Sequence, residues 1–197
     1  FVEKIGKYLI TKKSAMNIAL ENWHEKWGKW HAELKELLTP EEFAAAAAST
    51  TNAHYTSKDV INSMWSMVKR LGFTGGNVLE PADGVGHFYG LMPQDLMDAS
   101  KLSAVELDSI SGRISKKLYP EADVQVTGFQ DANIPDNSVD LAISNVPFAN
   151  VSIYDPTMEA AKAPKLSLHN YFFAKALQKV RPGGLIAFIT TSNTLDS

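Results

Sequence analysis

Between residues 76 and 190, short apolar runs alternate with amphipathic stretches, and this alternation constrains the fold more than any other feature of the chain. "NVLEP", "LSAVELD", "VQVTGF", "VDLAISN" and "GLIAFITT" are rich in Val, Ile and Leu and bounded by turn residues, the pattern of buried strands. "SGRISKKLY" and "HNYFFAKALQKV" lie between them and read as helices. Strands separated by helices predict an α/β fold: a parallel sheet of about five strands with helices on both faces. A further helix precedes the first strand. Thr56 or Ser57 caps it, Val60, Ile61, Met64, Val68 and Leu71 form its apolar positions, and Gly72 closes it.

The pattern changes near residue 50, which divides the chain into an N-terminal helical extension, 1–50, and the alternating domain, 51–197. In the extension, Trp23, Trp27, Trp30, Leu34, Leu37 and Leu38 recur every three or four residues, one apolar stripe expected to pack on a neighbour. "FAAAAAS" continues as helix, Ala being the best helix former. His24 and His31 are too far apart for a paired-His metal helix, so no metal is assigned.

Composition removes several classes. At 45% hydrophobic and 21% charged residues the chain can bury a core. No apolar run approaches the roughly 20 residues of a membrane span. The absence of Cys excludes a disulfide framework and Cys-based zinc sites, and fits a cytoplasmic location. The first ten residues carry no initiator Met and no long apolar stretch, the look of a piece of something longer. Net charge is −3, so any grip on nucleic acid has to be local or come from outside these residues.

In parallel sheets of this kind, ligands bind at the carboxyl ends of the strands. "EPADGVGHFYG" follows the first strand, where Gly84 and Gly86 permit a tight turn close to a ligand. Glu106 ends the second strand, about 20 residues on, where a carboxylate commonly accepts hydrogen bonds from a ribose diol. The glycines also suit a nicotinamide dinucleotide. Glu80 argues against it, because a carboxylate there repels a pyrophosphate and attracts the cationic end of an amino-acid-bearing cofactor. S-adenosylmethionine has a ribose, a cationic end and no phosphate.

The fourth strand ends in "ISNVPFAN", and "NVPF" resembles the Asn-Pro-Pro-Tyr/Phe motif of amino-group methyltransferases. "NAHYTS", "LEPADGVGHF", "AVELD", "TGFQD" and "SLHNYFFAKALQKVRPGGLIAFITT" resemble, in order, further segments of the adenine-specific DNA methyltransferases, over roughly residues 45–195. The resemblance is greatest to the methylase part of large helicase–methyltransferase proteins of phages and plasmids. It implies a Rossmann-like class I methyltransferase fold that uses S-adenosylmethionine. It also implies two more strands and a target-recognition region beyond residue 197, so the fold is expected to be C-terminally truncated here. The residues alone are then expected not to methylate duplex DNA. DNA is the implied partner, held mostly through regions outside these residues, with helicase or target-recognition domains in the same full-length chain.

By the same resemblance, Asn145, Val146, Pro147 and Phe148 form the catalytic tetrapeptide. The Asn145 side-chain oxygen and Val146 carbonyl would orient the adenine N6 amine, and Phe148 would stack on a flipped base. Tyr55, Thr56, Glu80, Pro81, Ala82, Gly84, Gly86, Glu106, Leu107, Phe129, Gln130, Asp131 and Asn145 are the implied cofactor-binding set. Within it, Tyr55 and Thr56 approach the methionine carboxylate, and Phe129, Gln130 and Asp131 the adenine edge. Phe129 also reads as ordinary core. Two residues depart from the family: Val146 replaces the motif's first Pro, although Pro147 still confines it to extended geometry, and Asp83 replaces a small residue beside Glu80. His54 and His87 read as structural, and Lys162 and Lys165 as a solvated loop. Methylation of another amino group, in a protein glutamine or an RNA base, and a degenerate domain that binds without catalysis are the competing readings.

Overall fold

The computed structural model describes residues 28–52, 55–148, 151, 153–158 and 166–191. Trp23, His24, Trp27, His54, Lys162 and Lys165 lie outside them. The chain forms two compact units that divide after Tyr55, the first also taking in Asp108–Ile110.

In the first unit, helices α1 (Lys29–Leu37) and α2 (Pro40–Asn52) are joined at a reciprocal cap. Thr39 N donates to Glu42 Oε2 at 2.9 Å and Glu42 N to Thr39 Oγ1 at 3.2 Å, which satisfies two amides at the start of α2. The ring of Phe43 meets His31 edge-on at 5.3 Å and lies beneath Lys35 Nζ. Of the apolar stripe, Leu34 and Leu38 are half-buried, whereas Trp30 and Leu37 are exposed.

The second unit opens with α3 (Lys58–Arg70), capped by Ser57, whose Oγ accepts from Val60 N. Ile61, Met64, Trp65 and Val68 are its buried stripe. Val60 and Leu71, expected on that stripe, are exposed: Val60 lies on its flank and Leu71 is already the C-cap. Two short helices, α4 (His87–Gly90) and α5 (Gln94–Asp98), escape the sequence reading because neither is long enough to show a helical period. Helices α6 (Ser109–Leu118) and α7 (Leu168–Lys179) agree with the expected segments.

The strands β1 (Gly76–Glu80), β2 (Ser100–Glu106), β3 (Asp123–Val126), β4 (Val139–Asn145) and β5 (Val180–Ile189) form one sheet in the order β3-β2-β1-β4-β5. All pairings are parallel. β5 starts at Val180, before the expected Gly184; Val180 pairs with Val139 and the register then shifts to Leu141↔Leu185. Alternate strand residues feed two cores. Val78, Ala104, Leu141 and Ile143 pack with Ile61, Trp65 and Val68 of α3 and with Phe88 and Tyr89 of α4. Leu79, Val105 and Ala142 pack with Phe129 and with Leu168, Tyr171, Phe172 and Ala176 of α7. Both faces of the strands are therefore apolar and covered, as a parallel sheet requires. No helix among the described residues is long and apolar enough to cross a membrane.

Candidate active site

The strand order reverses between β1 and β4, and a crevice forms at such a switch point beyond the carboxyl ends of the strands. The loop after β1 is fixed there by backbone bonds. Asp83 N donates to Val105 O at 3.0 Å and Gly86 N to Asp83 O at 3.0 Å. Ser144 Oγ of β4 reaches Ala82 O at 3.2 Å. Gly84 and Gly86 adopt φ of 62° and 82°, in the left-handed region where a side chain is strained. Gly86 has a second reason to be glycine: a Cβ on it would lie 2.1 Å from the ring of Tyr119, whose hydroxyl donates to Gly86 O at 2.7 Å.

Tyr119 and Tyr89 are supports that the sequence reading missed. The buried Tyr89 hydroxyl donates to Ser103 O and accepts from Glu80 N at 3.1 Å, so it ties the end of β1 and the middle of β2 to α4. The aromatic spacing in "GHFYG" hinted at burial, but nothing local reveals a partner 33 residues away, as for Tyr119 and Gly86.

Acidic groups converge on this loop. Glu80 is only 1% exposed and Asp83 4%. Glu80 Oε2, both carboxylate oxygens of Asp83 and the nearby Ser115 Oγ are buried without a hydrogen bond of normal geometry. Burial pushes the Glu80 carboxyl well above the usual range, and the Asp83 and Glu106 carboxylates push it further. Burial also raises Asp83, although Ser115, Glu80 and His87 counteract it in part. Asp83 therefore does not point to solvent: it is packed beside Glu80. Glu106 Oε2 accepts from Gly84 N at 2.7 Å, which brings the ends of β1 and β2 into one acidic wall.

Opposite, Asn145 ends β4 half-buried, and Val146 is fully buried, with its N–H donating to Ile189 O at 3.3 Å. Pro147 and Phe148 are exposed. Phe129 is 3% exposed and packs against Phe172 at 5.3 Å. In the turn Phe129–Asp131, Gln130 Nε2 donates to Asp131 Oδ2 at 2.8 Å. Pro81 is buried and Ala82 and Thr56 half-buried, whereas Leu107, Tyr55 and His87 are exposed. The fold thus gathers Glu80, Pro81, Ala82, Gly84, Gly86, Glu106 and Asn145 at neighbouring strand ends. Tyr55 falls in the first unit. Chemically, the wall offers acceptors to a cationic group at Glu80 and to a diol at Glu106, and the far side offers an amide and an exposed ring.

No protein-family model matches the chain. It is 30% identical over 161 residues to the "Defense against restriction protein B" of Escherichia phage P1, a match that takes in 80% of this chain and spans only 7% of that protein's length. Among solved structures, it is similar to the type I restriction-modification system methyltransferase subunit from Streptococcus thermophilus, with a TM-score of 0.55 and 13% identity over 70% of this chain and 34% of that one. It is also similar to an S-adenosylmethionine-dependent O-methyltransferase from Thermotoga maritima, with a TM-score of 0.52 and 13% identity over 74% of this chain and 49% of that one. At such identities the likeness is one of fold, and the sheet with its covering helices is the Rossmann-like fold of the class I methyltransferases.

Proposed function

We propose that the domain transfers a methyl group from S-adenosylmethionine to the N6 amine of adenine in DNA. The observation that carries this reading is the placement of Glu80, Glu106 and Asn145 at the ends of three adjoining strands, with Phe148 exposed three residues beyond Asn145. A cofactor with a cationic amino-acid end fits the buried, under-satisfied Glu80, and its ribose fits Glu106. When bound, that cofactor supplies an electrophilic methyl group. The names of the phage relative and of the restriction-modification neighbour support DNA as the substrate class.

The chain's own residues then do three things. The Asn145 side-chain oxygen and Val146 carbonyl accept the hydrogens of the amine, which frees its lone pair for in-line attack. Buried Val146 and the following Pro147 hold that carbonyl in an extended backbone. Phe148 stacks on the base, returning about 1–3 kcal/mol of the few spent on flipping it out. With net charge −3, the phosphate contacts that dominate DNA affinity come mostly from outside these residues.

Calorimetric titration with S-adenosylmethionine and mass spectrometry of nucleosides from treated DNA test the reading on the intact protein. Asn145→Ala is expected to lower kcat by at least ~10²-fold while leaving cofactor affinity largely intact. Near-native turnover in that variant removes the amine-orienting role. Cofactor binding without N6-methyladenine moves the substrate to another amino group, and no binding leaves a degenerate domain.

A further inference from the structure

The segment after Phe148 holds a set of charges that the reading above does not use. Asp155 and Lys175 are each 1% exposed and Tyr171 is 2% exposed. Asp155 Oδ1 accepts from Thr157 N at 2.9 Å and Thr157 Oγ1 at 2.7 Å. Its Oδ2 accepts from the Tyr171 hydroxyl at 2.7 Å and from Lys175 Nζ at 2.6 Å. Lys175 also donates to Thr157 Oγ1 at 2.8 Å. The anchored segment continues into Met158, which is buried in the core that contains Val146 and Phe129. Tyr154, immediately before the anchored carboxylate, is 83% exposed.

Tyr171 makes this set more than a local clasp. Its hydroxyl holds Asp155, while its ring meets Phe129 at 6.4 Å and Phe172 at 5.9 Å, both edge-on. Helix α7 thereby links the turn after β3 to the segment after β4. A buried ion pair is a poor device for stability alone, since apolar residues of similar volume do as well or better. What the hydrogen-bonded set supplies is a single geometry.

We infer that Asp155, Lys175 and Tyr171 are positioning residues for methyl transfer: they fix residues 153–158, which carry Tyr154, in one place relative to Phe129. The inference rests on the function proposed above. A misplacement of even 1 Å at a reacting centre costs up to about 10²-fold in rate, so loosening the segment is expected to appear in kcat and not in cofactor affinity.

The test compares Tyr171→Phe, Lys175→Met and the double variant Asp155→Leu/Lys175→Met in the intact protein. Four measurements are made: kcat, cofactor affinity, urea midpoint and amide hydrogen exchange over residues 153–158. Tyr171→Phe keeps the ring and both charges; it is expected to lose about tenfold in kcat, hold cofactor affinity within about twofold and exchange faster over 153–158. The double variant is expected to recover much of the urea midpoint lost in Lys175→Met but not the rate. Recovery of rate together with midpoint, or native kcat in Tyr171→Phe, overturns the inference in favour of a purely structural role. If the double variant does not fold, Tyr171→Phe alone decides. If the wild-type protein transfers no methyl group, the proposed function falls by itself, and unchanged exchange over 153–158 in Tyr171→Phe then overturns the anchoring as well.

Discussion

Two acidic sites in this domain are buried almost equally, yet their surroundings treat the carboxylate in opposite ways. Asp155 receives hydrogen bonds from Lys175, Tyr171 and Thr157. Burial opposes its ionisation, but those partners prevail and hold its carboxyl down at about 2. Glu80 and Asp83 have each other, and burial raises both, with Ser115 and His87 offsetting it only in part at Asp83. Burial therefore does not decide the charge of an acid; the donors around it do. A fully satisfied carboxylate belongs to the framework. A pair with acceptor capacity to spare, at a switch point, is a candidate binding site.

Lys175 is where the two sites differ most in what a single substitution removes. Lys175→Met strips the cation from an enclosed carboxylate and is expected to destabilise the domain by roughly 3–5 kcal/mol, read from the urea midpoint. If it costs no more than an exposed substitution, the set around Asp155 is not a framework. Acid gives the next largest effect. Because the folded pKa of Asp155 lies below the ordinary 3.8, its contribution is present above that value and is lost as pH falls from about 4 towards 2. The stability difference between wild type and Asp155→Asn is expected to shrink over that window, and a difference that persists unchanged at pH 2 contradicts the assignment.

The other site carries the opposite sign. A raised folded pKa means that the stability associated with the protonated forms of Glu80 and Asp83 is present in acid and lost as pH rises through the folded values. Asp83→Ala removes one of the two charges and is expected to gain on the order of 1 kcal/mol relative to wild type at pH 8, and less at pH 5. Thermal unfolding at the two pH values measures this; a gain larger in acid reverses the argument. The smallest effect is on ligand affinity. S-adenosylmethionine is expected to bind more tightly as pH rises and Glu80 ionises, and Asp83→Ala to bind it a few-fold more tightly at neutral pH with a flatter pH dependence. Calorimetry that shows equal or weaker binding in the variant contradicts the reading of Asp83 as a charge that opposes binding.

The framework was harder to read in the sequence than the site was. Glu80, Glu106 and Asn145 end apolar runs, and residues at strand ends announce themselves through the break in hydrophobicity. Lys175 gives no such sign. It looks like a solvated residue on a helix, and its burial depends on Asp155, 20 residues away in sequence. Asp83 was legible as an oddity, but whether it faced solvent or Glu80 depended on how the loop folds back onto Val105. Val60 and Leu71 show the converse. Their spacing suits the apolar stripe of α3, yet Val60 falls on the helix's flank and Leu71 is already its C-cap, so both stay exposed.

The position of β1 in the middle of the sheet has a consequence for the order in which the chain assembles. β1 pairs with β2 on one side and β4 on the other, and the amide of Asn77 in β1 meets the Asp140 carboxylate of β4 across 63 residues of chain. As the polypeptide is made, β1, β2 and β3 are available well before β4 and β5. Long-range parallel pairing is slow, because loop-closure entropy opposes it before any contact forms. The seam between β1 and β4 spans the longest stretch of chain of the four strand pairings and is therefore expected to close late. A molecule that touches Glu80 on one bank and Asn145 on the other would act as a suture, stabilising the late-formed half by mass action at the moment it becomes able to bind.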